Sequence, residues 1–212
     1  MSFWESYQKR ARACECDNGS RFAVQVYTNT FFEKRVEDLF NLARRVEQVF
    51  VEAGADYRVI GGLAVYCYVE EAAPDAGRLT RDIDIVVRRD DLQKVAEAAG
   101  KFGLQYRHVA GVDMLVQIGE PSARRAVHMV FTGEKVRPEY PEPTPSLRGD
   151  RVLQGVRLIP LADLVRMKLT SFRLKDQVHL KDLDEAALIT PEIIGDLPEV
   201  LRERLARVRA TE

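Results

Sequence analysis

The sequence predicts an α+β protein: a mixed β-sheet flanked by helices, with a helical C-terminal region. Three observations carry that expectation. Between residues 30 and 131 the apolar residues recur first at helical and then at strand spacing, in the order helix, strand, helix, strand, helix and several strands. A stiff proline-rich stretch follows, K-V-R-P-E-Y-P-E-P-T-P-S, ending that alternation. Beyond it the spacing is mainly helical to the end of the chain. The expected organisation is an N-terminal extension over 1–30, a core over 31–149 and a helical region over 150–212.

The 212 residues are enough for one large domain or a domain with an appendage. With 46% apolar residues a real core can form. The formal net charge of -1 excludes a global basic field, so any nucleic-acid contact would need a local patch. The three cysteines make no disulfide framework: Cys14 and Cys16 lack the usual zinc spacing, and Cys67 falls inside an expected core helix. No apolar run is long enough for a membrane span. Charges in M-S-F-W-E-S-Y-Q-K-R-A-R stand where a signal peptide needs an apolar run. A cytoplasmic setting is therefore expected.

Taken in order, the first thirty residues have no clean period. C-D-N-G-S is a turn signal, and the alternation in R-F-A-V-Q-V-Y predicts a short strand. The extension is expected to pack on the core or serve a homo-oligomer. Asn29 or Thr30 then caps a helix. Val36, Leu39, Phe40, Ala43, Val46, Val49 and Phe50 recur at three and four spacing before Gly54 ends it.

The stretch from Tyr57 to Val87 is where function concentrates. A short apolar run, Tyr57 to Ile60, enters the pair Gly61-Gly62, and a helical segment over Leu63 to Val69 leaves it. After a loop comes T-R-D-I-D-I-V-V. A strand there points Asp82 and Asp84 to one face and Ile83 and Ile85 to the other. Adjacent carboxylates repel unless a cation sits between them. Mg²⁺ commonly takes one or two carboxylates plus substrate phosphates. Glycines at a helix start let backbone N–H groups approach an anion.

The Gly-Gly helix followed by T-R-D-I-D-I resembles the nucleotidyltransferase superfamily that includes DNA polymerase beta. The T-R-D-I-D-I form is most similar to the bacterial group related to the AbiEii toxins. The resemblance implies a nucleotidyltransferase-like fold. It implies transfer of a nucleoside monophosphate from a nucleoside triphosphate to an acceptor hydroxyl of RNA, protein or a small molecule. Its implied cofactor is Mg²⁺ or Mn²⁺ on Asp82 and Asp84, with Gly61, Gly62 and Thr80 on the nucleotide side. Relatives include toxin–antitoxin proteins.

Past this stretch, Asp90 or Asp91 should cap a helix over Leu92, Val95, Ala96 and Ala99. L-Q-Y-R-H-V and V-D-M-L-V-Q-I should form strands around Ala110-Gly111, and A-V-H-M-V-F a further strand. In the resembling family the strand after Asp-x-Asp carries a third carboxylate. The matching position here is His128, an imidazole that can serve as a base or bind a transition metal but suits Mg²⁺ poorly. Asp113 or Glu134 is the substitute carboxylate if the register differs. The alternative reading is a nucleotide-binding or interaction module that has lost catalysis.

The proline-rich stretch is read either as a linker wrapping the core or as one wall of a substrate cleft. One strand is expected over Val152 to Leu158, then helices from Pro160, over Gln177 to Leu188, and over Pro198 to Val208. The block from Leu161 to Glu185 resembles a second block of the same bacterial group. The resemblance implies that Lys168 and Arg173 meet a triphosphate, with Lys181, Asp182 and Glu185 matching the later positions. A Lys offers a point charge and an Arg a planar fork. Asp182 and Glu185 share a helix face and could orient these bases.

Overall fold

The protein is described by a computed structural model covering residues 22–119 and 126–211. Seven strands form one mixed sheet: β1 (Tyr57–Ile60), β2 (Ile83–Val87), β3 (Leu104–Val109), β4 (Val112–Gln117), β5 (Val127–Phe131), β6 (Arg151–Leu153) and β7 (Val156–Leu158). Their order across the sheet is β3-β4-β5-β2-β1-β7-β6. β2 runs antiparallel to β1 and parallel to β5, so the Asp-bearing strand lies at the centre. Ile83, Ile85 and Val87 point into the core, as the alternation requires.

The helices are α1 (Phe22–Ala53), α2 (Gly61–Ala72), α3 (Leu92–Ala99), α4 (Leu161–Ser171), α5 (Leu174–Glu185), α6 (Pro191–Gly195) and α7 (Glu199–Ala210). α2 is apolar almost all round, and residues Gly62 to Val69 are buried between the sheet and α4 and α5. The Tyr68 hydroxyl donates to the Ile159 carbonyl at 2.8 Å, tying α2 to the chain leaving β7. One apolar cluster runs from Leu39 to Val208, so α4, α5 and α7 pack on the same core as the sheet.

The structure differs from the sequence reading at several elements. Phe22 to Tyr27 belong to α1, not to a strand. Propagating an existing helix adds a hydrogen bond per residue, whereas a lone strand has no partner. Arg21, the first residue of that expected strand, and the C-D-N-G-S turn lie outside the described residues. The single strand expected over Val152 to Leu158 is a hairpin. Gln154 and Gly155 both take positive φ, the geometry of a tight two-residue turn. α5 starts at Leu174 rather than Gln177, and α6 was not foreseen; the Thr190 hydroxyl and Pro191 start it.

The proline-rich segment both wraps the core and walls the cleft. Thr132 N–H donates to the Val87 carbonyl at 3.0 Å, and the Thr144 and Glu134 backbones bond across the segment at 2.9 Å. The buried guanidinium of Arg58 donates to the Gly149 carbonyl at 2.7 Å. The segment's path is thus fixed by backbone bonds as well as by its prolines.

Ile85 is fully buried at the centre of the sheet. Ile85→Ala should lower stability by about 2–5 kcal/mol, because its neighbours cannot collapse into the space. Urea unfolding should show a lower midpoint with an unchanged slope.

Candidate active site

Register brings the expected residues together. β2 and β5 pair in parallel with Asp84 opposite His128, and β1 pairs with β2 so that Ile60 lies opposite Asp84. Asp82 stands two residues before Asp84 on the same face. One ligand atom from each of Asp82, Asp84 and His128 lies within 4.8 Å of the others. His128 Nδ1 is 3.4 Å from Asp84 Oδ1. The three side chains are 28%, 31% and 25% exposed, so a small ligand can reach them while much of bulk water is excluded.

Gly61 explains how Asp84 fits. It opens α2 at φ +70, and a Cβ there would lie 2.0 Å from Asp84 Oδ2. The carboxylate occupies the space a side chain would need. Gly62 serves a different purpose: a Cβ there would meet Thr80 at 2.9 Å, so this glycine makes room for packing. Gly61 lines the cleft and Gly62 is buried. No side chain caps the N-terminus of α2, which leaves its first N–H groups without the usual side-chain acceptor.

Thr80 is buried and donates its hydroxyl to Asp82 Oδ1 at 2.6 Å; Lys175 Nζ is 3.9 Å from the same oxygen. Burial pushes the Asp82 carboxyl up, but the Thr80 hydroxyl, Lys175 and its own backbone N–H together hold it below the ordinary value. Asp82 is therefore ionised at neutral pH.

A cleft of about 490 Å³ opens from Gly61, Asp84 and His128 toward the proline-rich segment and α4. Lys168 and Arg173 line it, and both bond to Asp176, which is fully buried. Lys168 Nζ donates to Asp176 Oδ1 at 3.0 Å and Arg173 Nε to Oδ2 at 2.8 Å; Ser171 adds a third bond at 2.7 Å. Burial alone would raise the Asp176 carboxyl, but Arg173, Lys168 and Ser171 pull it down to about 2. Burial lowers the Lys168 ammonium, and Asp176 opposes that shift. Two cations share one carboxylate, leaving this group of three with one surplus positive charge.

A second cavity of about 380 Å³ lies beside Asp82, lined by Arg78, Thr80, Arg81, Lys175 and His179 among others. His179 is buried, and burial first, then Lys168 and Lys175, pushes its imidazolium down to about 4. It is neutral at pH 7.

The remaining expected positions lie elsewhere. Asp113 pairs opposite Met129, on the other face of the sheet from His128, and accepts from Tyr106 at 2.5 Å. Glu134 is half exposed and bound to the Arg89 fork. Neither is a third carboxylate of this site. Asp182 accepts from Arg78 at 2.9 Å rather than from Lys168 or Arg173. Lys181 reaches the Thr211 carbonyl, and Glu185 is exposed. The sequence reading missed Asp176, Lys175 and His179. The signal for Asp176 was present: it stands three residues after Arg173 in the first turn of α5, where an acid is favoured.

No protein-family model matches the chain, and no curated protein matches it in sequence. Among solved structures, an antigenic nucleotidyltransferase-like protein from Paracoccidioides brasiliensis aligns with a TM-score of 0.56 at 18% identity, covering 83% of this chain and 89% of that one. The chain therefore has a nucleotidyltransferase-like fold. Two structures of the antibiotic-resistance factor ANT(2'')-Ia align more loosely. The solution structure gives 0.45 at 12% identity, covering 84% of this chain and 85% of that one. The crystal structure with adenylyl-2''-tobramycin gives 0.42 at 14%, covering 80% and 93%. Among the described residues no helix is long and apolar enough to cross a membrane.

Gly61→Ala should displace Asp84, since a methyl group and the carboxylate cannot share the space. It should also cost about 1–2 kcal/mol for a left-handed backbone. A crystal structure of the variant with Asp84 unmoved would refute the first part.

Acid should unfold the protein through two windows. The unfolded chain binds a proton at His179 from 6.5 downward while the folded one does not until about 4, so stability is lost as pH falls between them. Asp176 contributes stability that is present above 3.8 and lost as pH falls toward about 2. Urea midpoints measured against pH should show Asp176→Asn flattening the lower window. Asp176→Ala should cost about 3–5 kcal/mol at neutral pH, because it strands a buried Lys168.

Proposed function

We propose that the protein is a metal-dependent nucleotidyltransferase. It moves a nucleoside monophosphate from a nucleoside triphosphate to an acceptor hydroxyl on RNA, a protein or a small molecule. The observation that carries this reading is the convergence of Asp82, Asp84 and His128 beside the glycine that opens α2.

The residues fit a divalent cation. Two carboxylates and an imidazole are close enough to share one ion, and Gly61 leaves Asp84 room to stand there. Asp82 and Asp84 would hold it, as the resemblance to the superfamily implies. A bound divalent ion neutralises phosphate charge and activates an oxygen nucleophile. The chain supplies the rest. The first N–H groups of α2 offer an anion site. Thr80 and Lys175 fix and keep ionised the Asp82 carboxylate. The surplus charge of Lys168 and Arg173 favours a polyphosphate in the cleft. Overall, the acceptor oxygen bonds to the α-phosphorus, pyrophosphate leaves, and the hydroxyl proton is released.

The series T-R-D-I-D-I and the placement of Lys168 and Arg173 support a nearer kinship with the AbiEii-type group, where toxin–antitoxin roles occur. His128 at the third-carboxylate position favours one other reading, a nucleotide-binding module without catalysis. The test is incubation with labelled nucleoside triphosphates, divalent metal and cell extract. Label should pass to an acceptor with wild-type protein and be lost with Asp82→Asn or Asp84→Asn. Nucleotide binding without any transfer would support the second reading. Transfer indifferent to both substitutions would refute the site.

A further inference from the structure

The imidazole beside the carboxylate pair bears on which metal the site selects. Of the chain's three histidines, His108 is bonded to Asp113 at 2.8 Å and His179 is buried in α5. A ring nitrogen of His128 lies within 4.8 Å of both the Asp82 and the Asp84 carboxylates. The pairing of β2 with β5 fixes it there: Asp84 and His128 are direct partners in a parallel ladder of five residue pairs. A slip of one residue would turn out of the core either Ile83 and Ile85 on β2 or Val127 and Met129 on β5, so the register is strongly held. The imidazole is thus a built part of the donor set.

An oxygen-only site suits Mg²⁺, which dehydrates reluctantly and prefers carboxylates and water. An imidazole nitrogen contributes little to Mg²⁺ and more to first-row transition ions, whose affinities for nitrogen donors rise along the series from Mn²⁺. The Gly61 cradle keeps Asp84 beside this nitrogen. We propose that Asp82, Asp84 and His128 form one two-carboxylate, one-imidazole site that selects Mn²⁺ or a later first-row divalent ion over Mg²⁺, with His128 as a ligand and not as the base. This rests on the metal site of the function proposed above, but not on catalysis. A nitrogen lone pair bound to metal cannot accept a proton, so the two roles of His128 are exclusive at that atom.

The test uses the full chain and the metals alone. Mn²⁺ and Mg²⁺ are titrated separately, and the Mn²⁺ complex is examined by pulsed electron paramagnetic resonance for coupling to nitrogen. Mn²⁺ should bind measurably more tightly than Mg²⁺. The spectrum should show coupling that changes isotope when histidine is labelled with ¹⁵N. His128→Asp should abolish the coupling and narrow the preference toward Mg²⁺. If that variant does not fold, the isotope change in wild type decides alone. A nitrogen-free Mn²⁺ spectrum, coupling that survives His128→Asp, or equal affinity for the two ions would overturn the proposal. Nitrogen-coupled Mn²⁺ in a protein that transfers no nucleotide would refute the transferase reading and leave this site standing.

Discussion

The site depends on one steric fact: the Asp84 carboxylate and a side chain at residue 61 cannot coexist. A Cβ at Gly61 would stand 2.0 Å from Asp84 Oδ2. The glycine does two jobs, because its φ of +70 is also what lets the chain turn from β1 into α2 without a strained side chain. The turn therefore aims α2 back across the sheet and opens a space at the start of β2. Into that space the central strand projects a charge. Every other feature of the site is arranged around that placement: His128 by register, Asp82 by the two-residue period, and Thr80 by packing against Gly62.

The C-terminal helices are joined to the site electrostatically. Asp176 takes hydrogen bonds from Lys168 on α4, Arg173 between the helices and Ser171 at the end of α4. Taking these charges out of water is costly, and only close pairing offsets it. The triad thus holds the α4–α5 corner while keeping its cations on the cleft wall. Lys175, one residue before Asp176, reaches the other side, toward Asp82. A single helix start therefore serves both the wall of the cleft and the carboxylate pair. Displacing α5 would disturb the charge balance at both.

Much of this was legible because it rests on period and on small-residue turns. The alternation in D-I-D-I-V-V gives the faces of β2 directly, and Gly61-Gly62 announces the turn before α2. The position of His128 opposite Asp84 was readable only as an order of strands. The register that excludes Asp113 comes from the pairing of β4 with β5, which no local pattern states. Phe22 to Tyr27 misled because alternation over a few residues is compatible with either a strand or a helix end. Asp176 was passed over because K-D recurs in L-K-D-Q-V-H-L-K-D. The resemblance favoured the second copy, whose Asp182 in fact binds Arg78. Choosing between two such copies requires knowing which turn of α5 faces α4, and that is a tertiary fact.

The charge arithmetic of the site gives the histidine a physical meaning. Two ionised carboxylates and a divalent cation sum to zero, and a neutral imidazole leaves that sum unchanged. Under the proposed function, a third carboxylate would leave the metal-filled site negative, and a triphosphate would then approach against repulsion unless more cations surrounded it. This chain has no excess of cations overall; Lys168 and Arg173 against Asp176 give the cleft wall one surplus positive charge, and Arg137, Arg166 and Glu142 line the same cleft. A site that is neutral when filled requires less from its surroundings to accept a polyanion. Under the proposed function, a carboxylate at position 128 would change the metal preference and the field met by the nucleotide at the same time.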